Sequence, residues 1–281
     1  MPISIFQAIV YGVVQGLAEF LPISSSAHLT LLPWILHWED PGLAFDVALH
    51  WGTLVAVLLV FWRDWLKLLR AGLASISERS LAGDPDRHLF WALLIATIPG
   101  AVIGKLLQHK AEDAFRSPLL IACTLGVMGV VLEIADRVGA KKKEMHQMSF
   151  GQAAAIGVAQ ACALLPGVSR SGATISLGLF FGYTRETIAR FSFIMSAPII
   201  FGAGLVKLPA LLHALHGQGE EAALVTPAGL VAAMLASAIV GTLVIRWLLD
   251  FLRNRGYLVF AVYRVVAALA VIALFFARGG K

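Results

Sequence analysis

The segment QGLAEFLPISSSAHL, residues 15–29, interrupts the first apolar stretch of the chain with a carboxylate, a proline and three serines. The apolar stretch begins at Ile3 and resumes after the serines only to about His37. A helix needs about 20 mostly apolar residues to cross the hydrocarbon, and neither part is that long. Irregular backbone at membrane depth is tolerated only where protein or water covers it. The pattern predicts a re-entrant hairpin of two short helices around a polar tip.

A second segment, from about Phe150 to about Gly182, is interrupted in the same way by PGVSRSG, residues 166–172. The two segments resemble each other: GVVQ at 12–15 matches GVAQ at 157–160, and LPISS at 21–25 matches LPGVS at 165–169. The offset is 145 for the first pair and 144 for the second, so this alignment pairs Ser25 with Ser169. We interpret the chain as one polytopic membrane domain, residues 1–281, built from two copies of a unit, about 1–140 and about 148–281.

Outside the hairpins, six stretches are long and apolar enough to span a membrane, and they lie near 43–62, 89–108, 117–135, 188–213, 227–247 and 256–276. The 281 residues are 59% hydrophobic and only 14% charged, with a mean hydropathy of +0.82. Soluble domains carry about 25% charged residues, so this composition excludes a soluble enzyme, a disordered protein and an ordinary nucleic-acid binder. The predicted fold is an all-α integral membrane protein with six transmembrane helices and two re-entrant hairpins.

The basic residues predict the topology. Fourteen of the 22 Lys and Arg fall in loops on one side, six fall on the other, and Arg170 and Arg264 lie within the membrane. Because Lys and Arg collect in cytoplasmic loops, both termini are expected outside. Three spans per unit invert the second copy, so the hairpins enter from opposite sides and their tips meet near the midplane. Paired broken helices in an inverted-topology repeat indicate a binding site.

The two cysteines, Cys123 and Cys162, stand alone in apolar runs with no metal-ligand spacing around them. They are expected to be buried free thiols.

The polar side chains of the two tips suit an anion with several oxygens, such as a phosphate. The first tip contributes Gln15, Glu19, Ser24, Ser25, Ser26 and His28, and the second contributes Ser169, Arg170, Ser171 and Thr174. Each returning half-helix begins at its serines, so its free N–H groups and the positive end of its dipole point into the meeting place. The guanidinium group of Arg170 and several hydroxyl groups add further hydrogen-bond donors for an anion.

Simpler interpretations stand beside this one. The serines are also typical helix N-caps, and His28 alone could be a hydrogen-bonded interhelical histidine. Glu19 and Arg170 could neutralise each other as a buried structural pair. Arg264 is either a counter-charge to Glu19 or a residue lining the substrate cavity. Asp46 and His50, near the outer end of a span, are either wall residues or interfacial ones.

QGLAEFLPISSSAH, residues 15–28, resembles the first signature of the undecaprenyl-diphosphate phosphatases of the bacitracin-resistance type. PGVSRSGAT, residues 166–174, resembles the second, and the length and hydropathy fit this family from end to end. The resemblance implies hydrolysis of a C55 polyprenyl diphosphate to the monophosphate, which recycles the lipid carrier of bacterial cell-wall synthesis. Gln15 stands where many members have Glu, which weakens the case for a metal held by two carboxylates.

That reaction gives the tip residues roles. Ser25 is the expected nucleophile, His28 the base that activates it, and Arg170 the clamp on the phosphoryl oxygens. Glu19, helped by Gln15, is expected to hold a Mg²⁺ or Ca²⁺ that bridges the diphosphate. In the alternative, His28 activates a water and Ser25 only orients it. The flanking serines, Thr174 and Arg264 are expected to contact substrate.

The expected location is the bacterial inner membrane, with the site open to the periplasmic or exterior side. The expected partners are the polyprenyl diphosphate and membrane lipid, with no nucleic acid and a homodimer left open. The main rival is a lipid flippase or another inverted-repeat transporter, which needs no nucleophile and base. A membrane phosphatase with a histidine nucleophile is disfavoured, because Ser176 stands where that pattern requires the histidine.

Overall fold

Serine caps begin both hairpins of the computed structural model, which describes residues 3–114, 117–215 and 226–280. Ser4 caps the first helix through a reciprocal pair of hydrogen bonds with Gln7. Ser149 makes the same pair with Gln152, 145 residues later. Each pair satisfies two N–H groups that a helix start otherwise leaves unbonded. The two predicted hairpins therefore start from matching local structures.

The described residues form eleven α-helices and two short 3₁₀ turns, at Met145–Gln147 and Cys162–Leu164. The α-helices are α1 Ile5–Phe20, α2 Ser25–Leu36, α3 Leu43–Val60, α4 Trp62–Ser77, α5 Pro85–Ala114, α6 Pro118–Val138, α7 Phe150–Ala161, α8 Arg170–Phe180, α9 Arg185–Leu215, α10 Pro227–Asn254 and α11 Leu258–Ala277. The two predicted hairpins correspond to α1 with α2 and to α7 with α8. The predicted all-helical architecture is confirmed for the described residues, and it is consistent with a membrane protein.

Five helices of the described chain, α5, α6, α9, α10 and α11, are long and apolar enough to cross a membrane. The sixth expected span corresponds to α3, which meets that criterion only together with α4, and the two helices are bent by 78° at Phe61. Of the basic residues assigned to the outer loops, Arg116 and Lys281 lie outside the described residues.

Each hairpin packs on a long helix from the other half of the chain. Helix α1 lies against α10, and α7 lies against α5. Gly12 of α1 faces the Ala233 carbonyl of α10, and Gly157 of α7 faces the Ala96 carbonyl of α5. Neither position has room for a Cβ atom. Small residues let two membrane helices approach to backbone contact. These contacts fix the position of each hairpin against a helix of the other half of the chain.

The expected burial of the cysteines is wrong. Cys123 and Cys162 are both free thiols, and both are exposed on the protein surface. In a membrane protein an apolar run covers the lipid-facing surface as well as the interior, so an apolar neighbourhood in sequence does not imply burial.

Candidate active site

The two tips share an unusual backbone. Ser24 and Ser169 precede α2 and α8 with φ angles of +76° and +72°, a region that residues other than glycine seldom adopt. Their side chains accept hydrogen bonds from the N–H groups of Ala27 and Gly172, three residues on. This geometry corrects the sequence alignment by one residue, because Ser24, not Ser25, corresponds to Ser169. The offset is 145 at the tips as at the caps, and Ser25 corresponds to Arg170.

Direct hydrogen bonds join the tips. The Gly167 N–H donates to Ser24 Oγ at 3.2 Å, and Ser171 Oγ donates to the Leu21 carbonyl at 3.2 Å. Thr124 Oγ1 of α6 donates to the Pro166 carbonyl at 2.6 Å and holds the second tip from the side. The expected meeting of the two tips is confirmed.

The Glu19 carboxylate lies at the centre of the site. Its Oε1 accepts from Arg170 at 3.0 Å, and its Oε2 accepts from Ser25 Oγ at 2.6 Å and from Gln15 Nε2 at 3.2 Å. His50 Nε2 lies 3.4 Å from the same Oε2. Four side chains from four helices therefore surround one carboxylate that is only 7% exposed. A buried charge is tolerated when it is paired in this way.

His50 also belongs to the site. From the sequence it could have been either a wall residue or an interfacial one. Its Nδ1 is 2.7 Å from the Asp46 carbonyl, which accepts only, so Nδ1 carries a proton. The contact between Nε2 and Glu19 then needs a proton on either the ring nitrogen or the carboxylate. An ionisable residue inside a predicted span was the signal that could have placed it at the site.

Arg170 does not lie free at the tip. One terminal nitrogen donates to Glu19, and the other donates to the Ser192 carbonyl at 2.9 Å. These bonds use two of its five N–H donors, and the other three have no acceptor among the described residues. The Arg170 side chain is 12% exposed. The pairing of Glu19 and Arg170 is thus real, and it leaves the guanidinium able to take a further anion.

The structure gives Ser25 a different partner from the expected one. His28 Nδ1 is 2.7 Å from the Ser24 carbonyl, which fixes the proton there, and Nε2 accepts from the Tyr263 hydroxyl at 2.6 Å. The hydroxyl of Ser25 bonds to Glu19 instead. A Ser25–His28 hydrogen bond is therefore not formed among the described residues. Tyr263, stacked on the His28 ring at 5.7 Å between centroids, was missed by the sequence analysis.

The structure gives Arg264 a role different from the two expected for it. Its guanidinium is fully buried and donates to four main-chain carbonyls: Pro22 at 2.7 Å, Gly167 at 2.6 Å, Val168 at 3.1 Å and Leu125 at 3.0 Å. It is not the counter-charge of Glu19, and its hydrogen bonds go to main chain at both tips. The planar fork matches several carbonyls at once, so Arg264 holds the two tips together.

The other expected contact residues are mostly used inside the protein. Ser26 Oγ pairs with Ser24 at 3.2 Å, and Ser171 Oγ pairs with Ser169 at 3.1 Å. Thr174 pairs with Ser192 at 2.7 Å. Ser24 and Ser169 act as N-caps, as the simpler interpretation had it.

Main-chain N–H groups remain open at both tips. In the described part of the chain, the amides of Ser25, Ser26, Arg170 and Ser171 donate to no protein acceptor. They lie in the first turns of α2 and α8, where the helix dipole also favours negative charge. Ser25, Ser26 and Arg170 are partly exposed, so a ligand can reach this position.

The protein side chains alone do not form a complete site for a divalent metal, so the substrate would have to supply further metal ligands. Among the described residues, no group of three or more His, Cys, Asp or Glu side chains has the arrangement of a metal site. The buried Gln15 Oε1, however, has no hydrogen-bond partner beside the Glu19 carboxylate. One carboxylate and one amide oxygen fit a Mg²⁺ that takes its other ligands from phosphate and water.

Comparisons with known proteins agree with this chemistry. Residues 8–270 match the family model described as bacitracin resistance protein BacA. A protein of Moorella thermoacetica, named undecaprenyl-diphosphatase, is 49% identical over 98% of this chain and 99% of its own length. Proteins of the same name from Desulforudis audaxviator and Pelotomaculum thermopropionicum are 47% and 46% identical, over 98% of this chain and 99% and 98% of theirs.

Proposed function

This chain belongs to the family of the bacitracin resistance protein BacA, and we infer from that membership that it hydrolyses undecaprenyl diphosphate to undecaprenyl phosphate and inorganic phosphate. It is a multi-pass bacterial membrane enzyme, and the reaction recycles the lipid carrier for peptidoglycan synthesis. The main structural support for hydrolysis is the cluster of Ser25, Glu19 and Arg170 where the two tips meet. It combines a nucleophile, a proton acceptor and an anion clamp.

We propose that Ser25 attacks the terminal phosphorus while Glu19 Oε2, already 2.6 Å away, takes the Ser25 proton. The bond from that phosphorus to the bridging oxygen breaks, and undecaprenyl phosphate leaves with the electron pair. Arg170 and the open N–H groups of the two helix starts hold the phosphoryl oxygens as their charge builds up. The product of this step is a phosphoserine at Ser25.

In the second step a water attacks the phosphoserine. His28 Nε2 accepts the proton of this water once Tyr263 turns its hydroxyl away. Ser25 Oγ leaves the phosphorus and regains its proton from Glu19, inorganic phosphate is released, and His28 gives the proton of the water to solvent, which restores the starting state. His28 thus acts as the proton carrier of the second step, whereas the first step uses the carboxylate that the structure pairs with Ser25.

We also propose that Gln15 Oε1 and the Glu19 carboxylate would hold a divalent cation. Mg²⁺ or Ca²⁺ arriving with the diphosphate would neutralise charge on the phosphoryl oxygens. The unpartnered Gln15 Oε1 supports this assignment.

We also propose the finer architecture of six spans in an inverted-topology repeat. The support is local: matched caps at Ser4 and Ser149, matched tips at Ser24 and Ser169, and the exchange of packing partners between the two halves. The charge bias of the loops supports a site that opens to the periplasmic or exterior side.

The test of the function is phosphate release from undecaprenyl diphosphate by purified protein, with and without EDTA. Steady phosphate release that EDTA stops supports both the hydrolase and the cation. Release unchanged by EDTA removes the cation from the account. Lipid transfer between leaflets without phosphate release would establish the rival flippase.

A further inference from the structure

Helix α4, Trp62–Ser77, carries three different faces, and only one of them is packed against the protein. Its inner face consists of Leu68, Ala71, Gly72 and Ser75, all buried. Trp91 of α5 anchors this face by donating from Nε1 to Ser75 Oγ at 2.9 Å. The position of α4 is therefore fixed against α5, and its other two faces point away from the protein.

The second face is an exposed apolar row. Its members follow helical spacing and are between 43% and 69% exposed: Trp62, Leu66, Leu69, Leu73 and Ile76. A row of this length, with a tryptophan at its start, is typical of a helix that lies in the membrane interface. The 78° bend from α3 turns α4 away from the direction of the preceding span.

The third face is a basic row beside the apolar one, formed by Arg63, Lys67 and Arg70, one turn apart and all exposed. Among the described residues, no carboxylate forms an ion pair with any of the three. The acidic residue of α4, Asp64, is already engaged by Arg190 at 2.6 Å. Arg63 lies over the Trp62 ring at 5.1 Å, so its charge stays at the level of the apolar row.

We propose that α4 lies in the plane of the membrane and that Arg63, Lys67 and Arg70 bind the phosphate of anionic phospholipid head groups. An apolar row in the acyl region puts an adjacent basic row at the depth of the lipid phosphates. Unpaired cations at that depth favour anionic over zwitterionic head groups. Charge complementarity favours anionic lipid over a two-fold symmetric contact with a second copy of the chain, in which the row would face the same three cations.

The test uses tryptophan quenching by brominated lipids in vesicles of phosphatidylcholine that contain the full chain. The signal of Trp62 is the difference between wild type and Trp62→Phe, since the chain has seven tryptophans. At equal mole fraction, brominated phosphatidylglycerol is expected to quench Trp62 at least about twofold more than brominated phosphatidylcholine, and raised salt should reduce the excess. The excess should disappear in the triple variant Arg63→Gln, Lys67→Gln, Arg70→Gln.

The matched control removes three other exposed basic residues: Lys142→Gln, Arg246→Gln and Arg255→Gln. This control should keep the excess quenching. Equal quenching by the two lipids in wild type, or loss of the excess in the control as well, overturns the proposal. Protection of Trp62 from both lipids would mean that a second copy covers the row, and would also overturn it. None of these measurements depends on phosphatase activity.

Discussion

Ser25 and Arg170 are the first residues of α2 and α8, 145 positions apart, and both donate hydrogen bonds to the Glu19 carboxylate. Equivalent places in two similar hairpins thus carry different side chains, a hydroxyl in one and a guanidinium in the other. Where the tips meet, these two groups face a common partner. The chemistry of the site follows from this difference.

Replacing Glu19 by Gln should lower turnover by at least about 10²-fold, the scale of general acid–base catalysis. An amide still accepts a hydrogen bond from Ser25 but cannot take its proton, and Arg170 loses its counter-charge. The measurement is phosphate release at matched protein amounts, with exposed Glu39→Gln as control. Turnover within about twofold of wild type would exclude Glu19 as the proton acceptor.

Ser25 and Glu19 should behave as one unit in a double-mutant cycle. If the carboxylate acts only through the serine, Ser25→Ala with Glu19→Gln should be little slower than the slower single variant. The rate constants of the four proteins give the coupling. Losses that simply multiply would show that the two side chains act independently.

Arg170→Ala should nearly abolish turnover while the protein still inserts into the membrane. Lys at this position should rescue poorly, because its single ammonium nitrogen cannot match the separate nitrogens from which Arg170 donates to Glu19 and Ser192. Near-normal activity of Arg170→Ala at matched expression would eliminate the clamp role. Arg137→Ala, on the exposed surface, is the control.

Arg264→Met should lower both the thermal stability of the protein and its rate of turnover. Hydrogen bonds to charged groups contribute about 1.5–3 kcal/mol each, and four buried carbonyls lose the bond from Arg264 in this variant. Thermal unfolding in detergent should show a clear fall in Tm, whereas Arg246→Met, on an exposed position of α10, should show none. An unchanged Tm together with full activity would mean that Arg264 does not hold the tips.

The side on which the site opens can be tested with Ser26→Cys. Cys123 and Cys162 are exposed, so both must first be replaced by Ala. A membrane-impermeant thiol reagent should then label residue 26 from outside intact cells. Ser77→Cys, on the opposite side in the expected topology, should react only in inverted vesicles. Labelling of residue 26 only in inverted vesicles would reverse the topology.

The hairpins were predictable because polar tips and prolines interrupt apolar runs, a signal that depends only on local sequence. The membership of Glu19, Ser25 and Arg170 in one site was predictable for the same reason. Their partners were not. The placement of Ser25 relative to Glu19 depends on the turn between α1 and α2, which has a φ of +76° at Ser24. No propensity would assign that value to a serine.

Arg264 and His50 show a second limit. Each is an ionisable residue within a span, which indicated importance but not a partner. Arg264 reaches the tips because α11 packs along α6. His50 reaches Glu19 because α3 packs against α1. Only the packing of distant helices decides such contacts, and residue spacing along one helix does not contain that information.

The most direct test of the mechanism is a rapid-quench single turnover with substrate labelled in the terminal phosphate. We expect label on the peptide containing Ser25 before free phosphate forms. The label should persist longer in His28→Ala and should be absent from Ser25→Ala. Release of phosphate by Ser25→Ala at the wild-type rate, with no labelled protein at any time, would contradict it.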